Sequence, residues 1–165
     1  MVSPNMIVSS LEEIAILPLI QKGYTSLLLD LDDTVVPHHT NQVSLQKIQW
    51  LEQAKSFGLH TWALSNNSSQ YRVSKICTQL GIQGLYFAMK PLPFSAKELL
   101  QDHHIDPKNC LVIGDKLFTD IFLGNWLGAF TILVEPLTKK VSLATTLRRN
   151  IELFVVERLA WKSSS

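Results

Sequence analysis

Cysteine is scarce: 165 residues hold only Cys77 and Cys110, and both fall inside apolar patterns. That excludes a disulfide framework and a zinc-ligand spacing, and the pair reads as small buried hydrophobes in a reducing compartment. An excess of one charge is missing too, since 15 Lys/Arg against 14 Asp/Glu leave a formal +1. No Lys/Arg stripe interleaved with aromatics runs through the chain, which argues against nucleic acid as a partner. No apolar run reaches the ~18 residues that a transmembrane span requires. The N-terminus lacks the basic-then-apolar layout of a secretory signal, so a cytoplasmic location is expected. Repeats and linkers are absent apart from the short serine tail. With 46% hydrophobic residues, residues 1–165 read as one domain able to bury a core.

What is present is alternation. Five apolar stretches read as buried strands: Leu27 to Leu29, His60 to Leu64, Leu85 to Ala88, Leu111 to Ile113 and Phe130 to Val134. Helical spacing falls between them. Ser44 caps a helix carrying Leu45, Ile48, Leu51, Ala54 and Phe57, which Gly58 ends. Val73, Ile76, Cys77 and Leu80 make the next helix face, stopped by Gly81, and another helix covers Phe94 to Gln101. Residues 1–24 read as a helical segment, started by the capping box Ser10-Leu11-Glu12-Glu13 and broken at Pro18. Residues 139–162 carry six Lys/Arg and two Glu, net +4, around a helical stripe of Leu143, Leu147, Ile151, Phe154 and Val155. Such a basic amphipathic helix either packs on the sheet or lies on an anionic membrane surface.

Strands alternating with helices predict an α/β fold with a parallel sheet and right-handed crossovers. Chemistry in such sheets sits at the C-terminal ends of the strands. There the chain places Asp30, Asp32 and Asp33 directly after Leu27 to Leu29, and Asp115 directly after Gly114. Packed acids repel one another, and a divalent cation relieves that; Mg²⁺ suits a carboxylate–carbonyl–water donor set. Ser65-Asn66 ends the second strand, where a hydroxyl and backbone N–H groups can hold phosphate oxygens or simply make a turn. Lys90 stands between Met89 and Pro91, an unusual setting for a solvated cation. His38 and His39 lie in a loop above the acids without anything to fix their geometry.

Asp30-Leu31-Asp32-Asp33-Thr34 resembles the first motif, DxDx(T/V), of the haloacid dehalogenase (HAD) superfamily. Ser65-Asn66, Lys90-Pro91 and Gly114-Asp115 with Thr119-Asp120 are similar to its second, third and fourth motifs, in the same order. The resemblance implies a three-layer α/β/α Rossmann-like fold whose five-stranded parallel sheet has the order 5-4-1-2-3. It implies Asp30 as nucleophile, Asp32 as general acid and base, and Lys90 steadying Asp30 and the phosphoryl group. Ser65 and Asn66, with Lys90, would bind phosphate. Mg²⁺ would be held by Asp30, the Asp32 carbonyl and Asp115, with Asp120 in the outer shell. Asp33 departs from the Gly or Asn common at its position.

Between Asp30 and Ser65, and between Ser65 and Lys90, the intervals are each filled by one helix–strand unit. No cap domain fits, and the site should be open to bulky substrates. The capless layout, Lys90-Pro91-Leu92-Pro93 and the run from Gly114 to Ile121 resemble subfamily IIIA, and within it the phosphatidylglycerophosphate phosphatases. That implies a phospholipid phosphate substrate, phosphatidylglycerophosphate yielding phosphatidylglycerol, and peripheral attachment to the inner face of a membrane. The alternatives are a soluble nucleotide or sugar phosphatase and a non-catalytic binding module on the same fold. Oligomeric state is not legible.

Overall fold

A computed structural model describes residues 2–138; the basic segment expected over residues 139–162 lies outside them. One parallel sheet carries the molecule. In chain order its strands are β1 (Met6–Val8), β2 (Ser26–Leu29), β3 (His60–Leu64), β4 (Gln83–Leu85), β5 (Cys110–Gly114) and β6 (Phe130–Val134). Their spatial order is β1-β6-β5-β2-β3-β4. The last five strands reproduce the expected 5-4-1-2-3, and β1 adds a sixth strand at the β6 edge, pairing Met6 with Ile132 and Val8 with Val134.

Period-two alternation assigns the two helical layers. Leu27, Leu29 and Ile113 face one side, packing with Trp50, Leu51 and Ala54 of α2 (Leu45–Ser56) and Val73, Ile76 and Leu80 of α3 (Gln70–Leu80). Leu28 and Val112 face the other, with Ala96, Leu99 and Leu100 of α4 (Phe94–Asp102) and Leu123 of α5 (Phe122–Leu127). Leu27, Leu29, Leu111 and Ile113 are fully buried. Stripping solvent from each such side chain stabilises the fold by about 1.5–3 kcal/mol. Each connection from β2 to β3 and from β3 to β4 holds a single helix, so neither inserts a cap domain among the described residues.

Two expectations are corrected. The first concerns residues 1–24, which are not one helical segment. They form β1, a single 3₁₀ turn (Leu11–Glu13) and α1 (Ile16–Gln21). The Ser10 side chain makes no cap; instead Glu13 Oε2 accepts from the Ser9 backbone N–H at 3.1 Å, and Ile14 and Ala15 are extended. Pro18 is the third residue of α1, where its missing N–H has no intrahelical partner to lose. The second concerns the strand expected over Leu85 to Ala88, which is β4, Gln83–Leu85. Gly84 sets that register: a Cβ there would stand 2.5 Å from Cys77 Sγ and 3.0 Å from Ala63 Cβ.

Candidate active site

In the sheet Leu29 pairs with Ala63 on one side and with Ile113 on the other, so β2, β3 and β5 end level. Asp30, Ser65 and Asp115 therefore leave the sheet at one edge, and the Asp30 N–H is tied across to Ile113 O at 2.9 Å. Asp30, Asp32, Ser65, Lys90, Asp115 and Asp120 are all more than nine-tenths buried. The turn after Asp30 folds back on itself. Leu31 O accepts from Val35 N and Val36 N, and Asp33 N donates to Val36 O at 2.8 Å. Asp33 sits at φ 65°, the left-handed region that Gly or Asn enters most readily. Thr138 Oγ1 donates to Asp33 Oδ1 at 2.6 Å and Leu137 N to Asp33 O at 2.9 Å, stitching that turn to the chain beyond β6.

Lys90 Nζ lies 2.6 Å from Asp30 Oδ1 and 2.7 Å from Asp120 Oδ1. Burial works against its charge, yet the Asp120 and Asp30 carboxylates more than offset that and raise its pKa. Asp120 is raised as well, by burial and then by Asp30, against the pull of Lys90. These shifts oppose each other across one pair because a single ammonium is shared by two acids; Lys90 stays charged and the carboxylates are under-compensated.

Asp30, Asp115 and Asp120 each offer an oxygen within 4.8 Å of the other two. Gly114 makes this possible, since a Cβ there would fall 2.3 Å from Asp120 Cγ. Lys116 Nζ donates to Asp115 Oδ1 at 2.8 Å, and Lys116 N to Asp120 Oδ2 at 3.0 Å. Asp115 is nevertheless pushed up to about 6, by burial first, with Asp30 and Asp120 adding their charge and Lys116 opposing. Three buried carboxylates against two lysines leave negative charge unmet. All-oxygen donors at this spacing fit a hard divalent cation.

Asp32 points away from that cluster. Arg72 donates to its Oδ1 from Nη2 at 2.6 Å and from Nε at 3.1 Å, and Asn67 Nδ2 donates to Oδ2 at 3.1 Å. The same guanidinium reaches Thr40 O at 2.6 Å, Pro37 O at 3.2 Å and Asn41 Oδ1, pinning the 37–41 loop above the site. Ser69 Oγ caps α3 by accepting from Arg72 N at 3.2 Å, which fixes where Arg72 starts. The sequence reading singled out neither Arg72 nor Asn67. The available signal was a cation in the first turn of the helix that follows Ser65-Asn66, opposite acids with only Lys90 assigned to them.

Ser65 Oγ accepts from Asn67 N at 3.1 Å. Asn66, expected to hold phosphate, has its amide committed elsewhere: Nδ2 donates to Lys90 O at 2.8 Å and Oδ1 accepts from Lys90 N at 2.7 Å. His38 is exposed, 3.8 Å from Asp32 Oδ1 and 3.7 Å from Asp33 Oδ2, and His39 is exposed without such a neighbour among the described residues. Asp30, Asp32, Asn67, Lys90, Lys116 and Thr119 line a cavity of about 200 Å³. A roomier groove of about 650 Å³ runs beside β4 between α3 and α4; Glu98 and Asp102 line it, but Asp30, Asp32, Asp115 and Asp120 do not.

The family described as HAD-hydrolase-like matches residues 87–160. "Probable phosphatase YqeG" of Bacillus subtilis is 30% identical over 159 residues, 96% of this chain and 92% of that protein. The chloroplastic/mitochondrial phosphatidylglycerophosphate phosphatase 1 of Arabidopsis thaliana is 26% identical over 146 residues, 84% of this chain but only 42% of that protein. Among solved structures, the cobalt-bound deoxy-D-mannose-octulosonate 8-phosphate phosphatase of Haemophilus influenzae shares the fold at a TM-score of 0.54 and 11% identity, over 68% of this chain and 69% of that one. A hypothetical protein of Xanthomonas campestris does so at 0.56 and 18%, over 77% and 72%. No helix among the described residues is long and apolar enough to cross a membrane.

Proposed function

The chain belongs to the HAD-like hydrolases, as a phosphatase of that family, and from that premise we propose that it cleaves a phosphate monoester of a membrane lipid, of the phosphatidylglycerophosphate kind. The observation that carries the chemistry is the Lys90 ammonium 2.6 Å from Asp30 on the floor of an uncapped cavity. Asp30 attacks phosphorus; the bond to the ester oxygen breaks, and Asp32 gives that oxygen a proton. Asp32 then takes a proton from water, which attacks the aspartyl-phosphate, frees Asp30 and releases inorganic phosphate. Both Asp32 oxygens accept hydrogen bonds here, from Arg72 and Asn67. Donating in the first step requires Oδ2 to turn from acceptor to donor and Asn67 to swing aside. Lys90 offsets repulsion between Asp30 and the incoming phosphate, and Ser65 supplies a hydroxyl beside it. Mg²⁺ would be held by Asp30, the Asp32 carbonyl and Asp115 with Asp120 alongside, and when bound it supplies positive charge to the transferring group. The Asn66 side chain serves phosphate binding through its grip on Lys90.

Three things support a lipid substrate. One is the plant relative, whose likeness covers most of this chain although the chain is under half of that protein. Another is a cavity of about 200 Å³, which holds a phosphate and little of the alcohol attached to it. The third is the absence of a cap, which would obstruct a head group still anchored in a bilayer. Peripheral contact with an anionic membrane surface is part of the same proposal. The test is a comparison, in mixed micelles with Mg²⁺, of phosphatidylglycerophosphate with soluble sugar and nucleotide monophosphates at matched concentration. The lipid should be hydrolysed far faster. If the soluble esters win, the lipid assignment fails and a small-molecule phosphatase takes its place.

A further inference from the structure

Thirteen large hydrophobic side chains are exposed among the described residues, and six of them fall within the ten positions from Leu85 to Phe94. In that stretch Ala88 and Lys90 turn inward, while Tyr86, Phe87, Met89, Leu92 and Phe94 turn out, Phe87 at 59% and Phe94 at 65% exposure. This is not a slack loop. Phe87 N donates to Asn67 O, Ala88 N to Ser65 O and Leu92 N to Met89 O, each at 2.9 Å. Phe87 and Met89 sit at φ 51° and 56°, a conformation costing an L-residue about 1–2 kcal/mol, so the fold holds these side chains outward at a price. Phe118, 74% exposed, stands on the neighbouring helical turn Leu117–Ile121, between Lys116 and Thr119, both of which line the cavity.

The sequence around this stretch is short of acids. Residues 53–97 contain no Asp or Glu at all, but five cations: Lys55, Arg72, Lys75, Lys90 and Lys97. Lys75, Lys97 and, on the next loop, Lys116 are exposed. Lys75 lies 5.8 Å over the ring of Tyr71, which is itself exposed at the start of α3.

We infer that Tyr86, Phe87, Met89, Leu92, Phe94 and Phe118 form a docking rim around the cavity mouth that enters an anionic phospholipid surface. This rests on the lipid reading of the substrate. Aromatic side chains with lysines beside them suit the head-group level of a bilayer, where rings meet the acyl boundary and ammonium groups meet lipid phosphate. A second copy of the chain offers the exposed Lys75 and Lys97 no added anionic partner, whereas lipid phosphate does. Lys90, from within the rim stretch, and Lys116 and Thr119, which flank Phe118, line the cavity, so docking and delivery of a phosphate at the membrane plane are one event.

The test is flotation of the full chain with phosphatidylcholine vesicles containing phosphatidylglycerol, against pure phosphatidylcholine vesicles. The wild type should float with the anionic vesicles. The combined variant Phe87→Asn, Phe94→Gln and Phe118→Gln should lose about tenfold or more in vesicle partition, while hydrolysing p-nitrophenyl phosphate at the wild-type rate. Lys75→Glu with Lys97→Glu keeps the rings and should lose the preference for anionic over neutral vesicles. Equal flotation of wild type and the aromatic variant overturns the rim. So does a wild-type dimer that ignores vesicles and that the aromatic variant dissociates. Rim-dependent flotation without hydrolysis of the lipid monoester removes the substrate reading and leaves the rim standing. Lipid hydrolysis in micelles without any flotation difference does the reverse.

Discussion

The side-chain amide of Asn66 grips the Lys90 backbone at both ends, donating to its carbonyl at 2.8 Å and accepting from its N–H at 2.7 Å. The second and third motifs are thereby one unit, and the ammonium that reaches Asp30 is aimed from β3 as much as from its own loop. Asn66→Ala should lower kcat roughly 10–100-fold, as loss of a supporting contact does, with a stability loss of about 1–3 kcal/mol. Steady-state kinetics separates the roles. A rise in KM at unchanged kcat would mean that the amide serves phosphate directly.

Arg72 holds Asp32 and the 37–41 loop with one guanidinium. Arg72→Gln should cut kcat, because the acid–base carboxylate loses the fork that orients it. Arg72→Lys should restore charge but not the fork, so recovery should be partial. An unchanged kcat in Arg72→Gln would reduce Arg72 to a loop anchor.

Lys90→Met strands two buried carboxylates, Asp30 and Asp120. Beyond loss of turnover, the variant should be about 3–5 kcal/mol less stable at neutral pH. Part of that should return on acidification, as protonation neutralises the stranded acids. Chemical denaturation at a series of pH values reads this. A stability gap independent of pH would contradict it.

Burial pushes the Asp115 carboxyl up to about 6 in the folded chain, against about 3.9 when unfolded. Between those values the folded state holds a proton the unfolded state has lost, so this group's contribution to stability falls as pH rises through that window. A bound cation reverses the preference. Mg²⁺ should therefore raise the melting temperature clearly at about pH 8 and little at about pH 5, and Asp115→Asn should remove most of that difference. A Mg²⁺ effect of equal size at both pH values would place the cation elsewhere.

The sheet and the acids were legible because burial on both faces writes uninterrupted apolar runs, as in Leu27 to Leu29, and because Asp30 and Asp115 follow such runs directly. β1 was not. Met6–Val8 is a three-residue edge strand with partly exposed side chains, too short to show a period, and the Ser10–Glu13 spacing beside it imitates a helix start. β4 was displaced because Tyr86, Phe87 and Met89 look like core residues and are instead exposed; composition cannot tell an apolar rim from an apolar strand. Arg72 escaped because its partner Asp32 is forty residues away in sequence. Asn66 was placed at the right strand end, but its side-chain partners depend on how the next loop folds back.

The most direct measurement is capture of the phosphoenzyme. Wild-type protein, quenched in acid during turnover with Mg²⁺, should carry phosphate on the peptide containing Asp30. Asp30→Asn should keep its circular dichroism, lose that modification entirely and turn over roughly 10³-fold more slowly or worse. Near-normal turnover in Asp30→Asn, or phosphate found on another residue, would contradict the role given to Asp30.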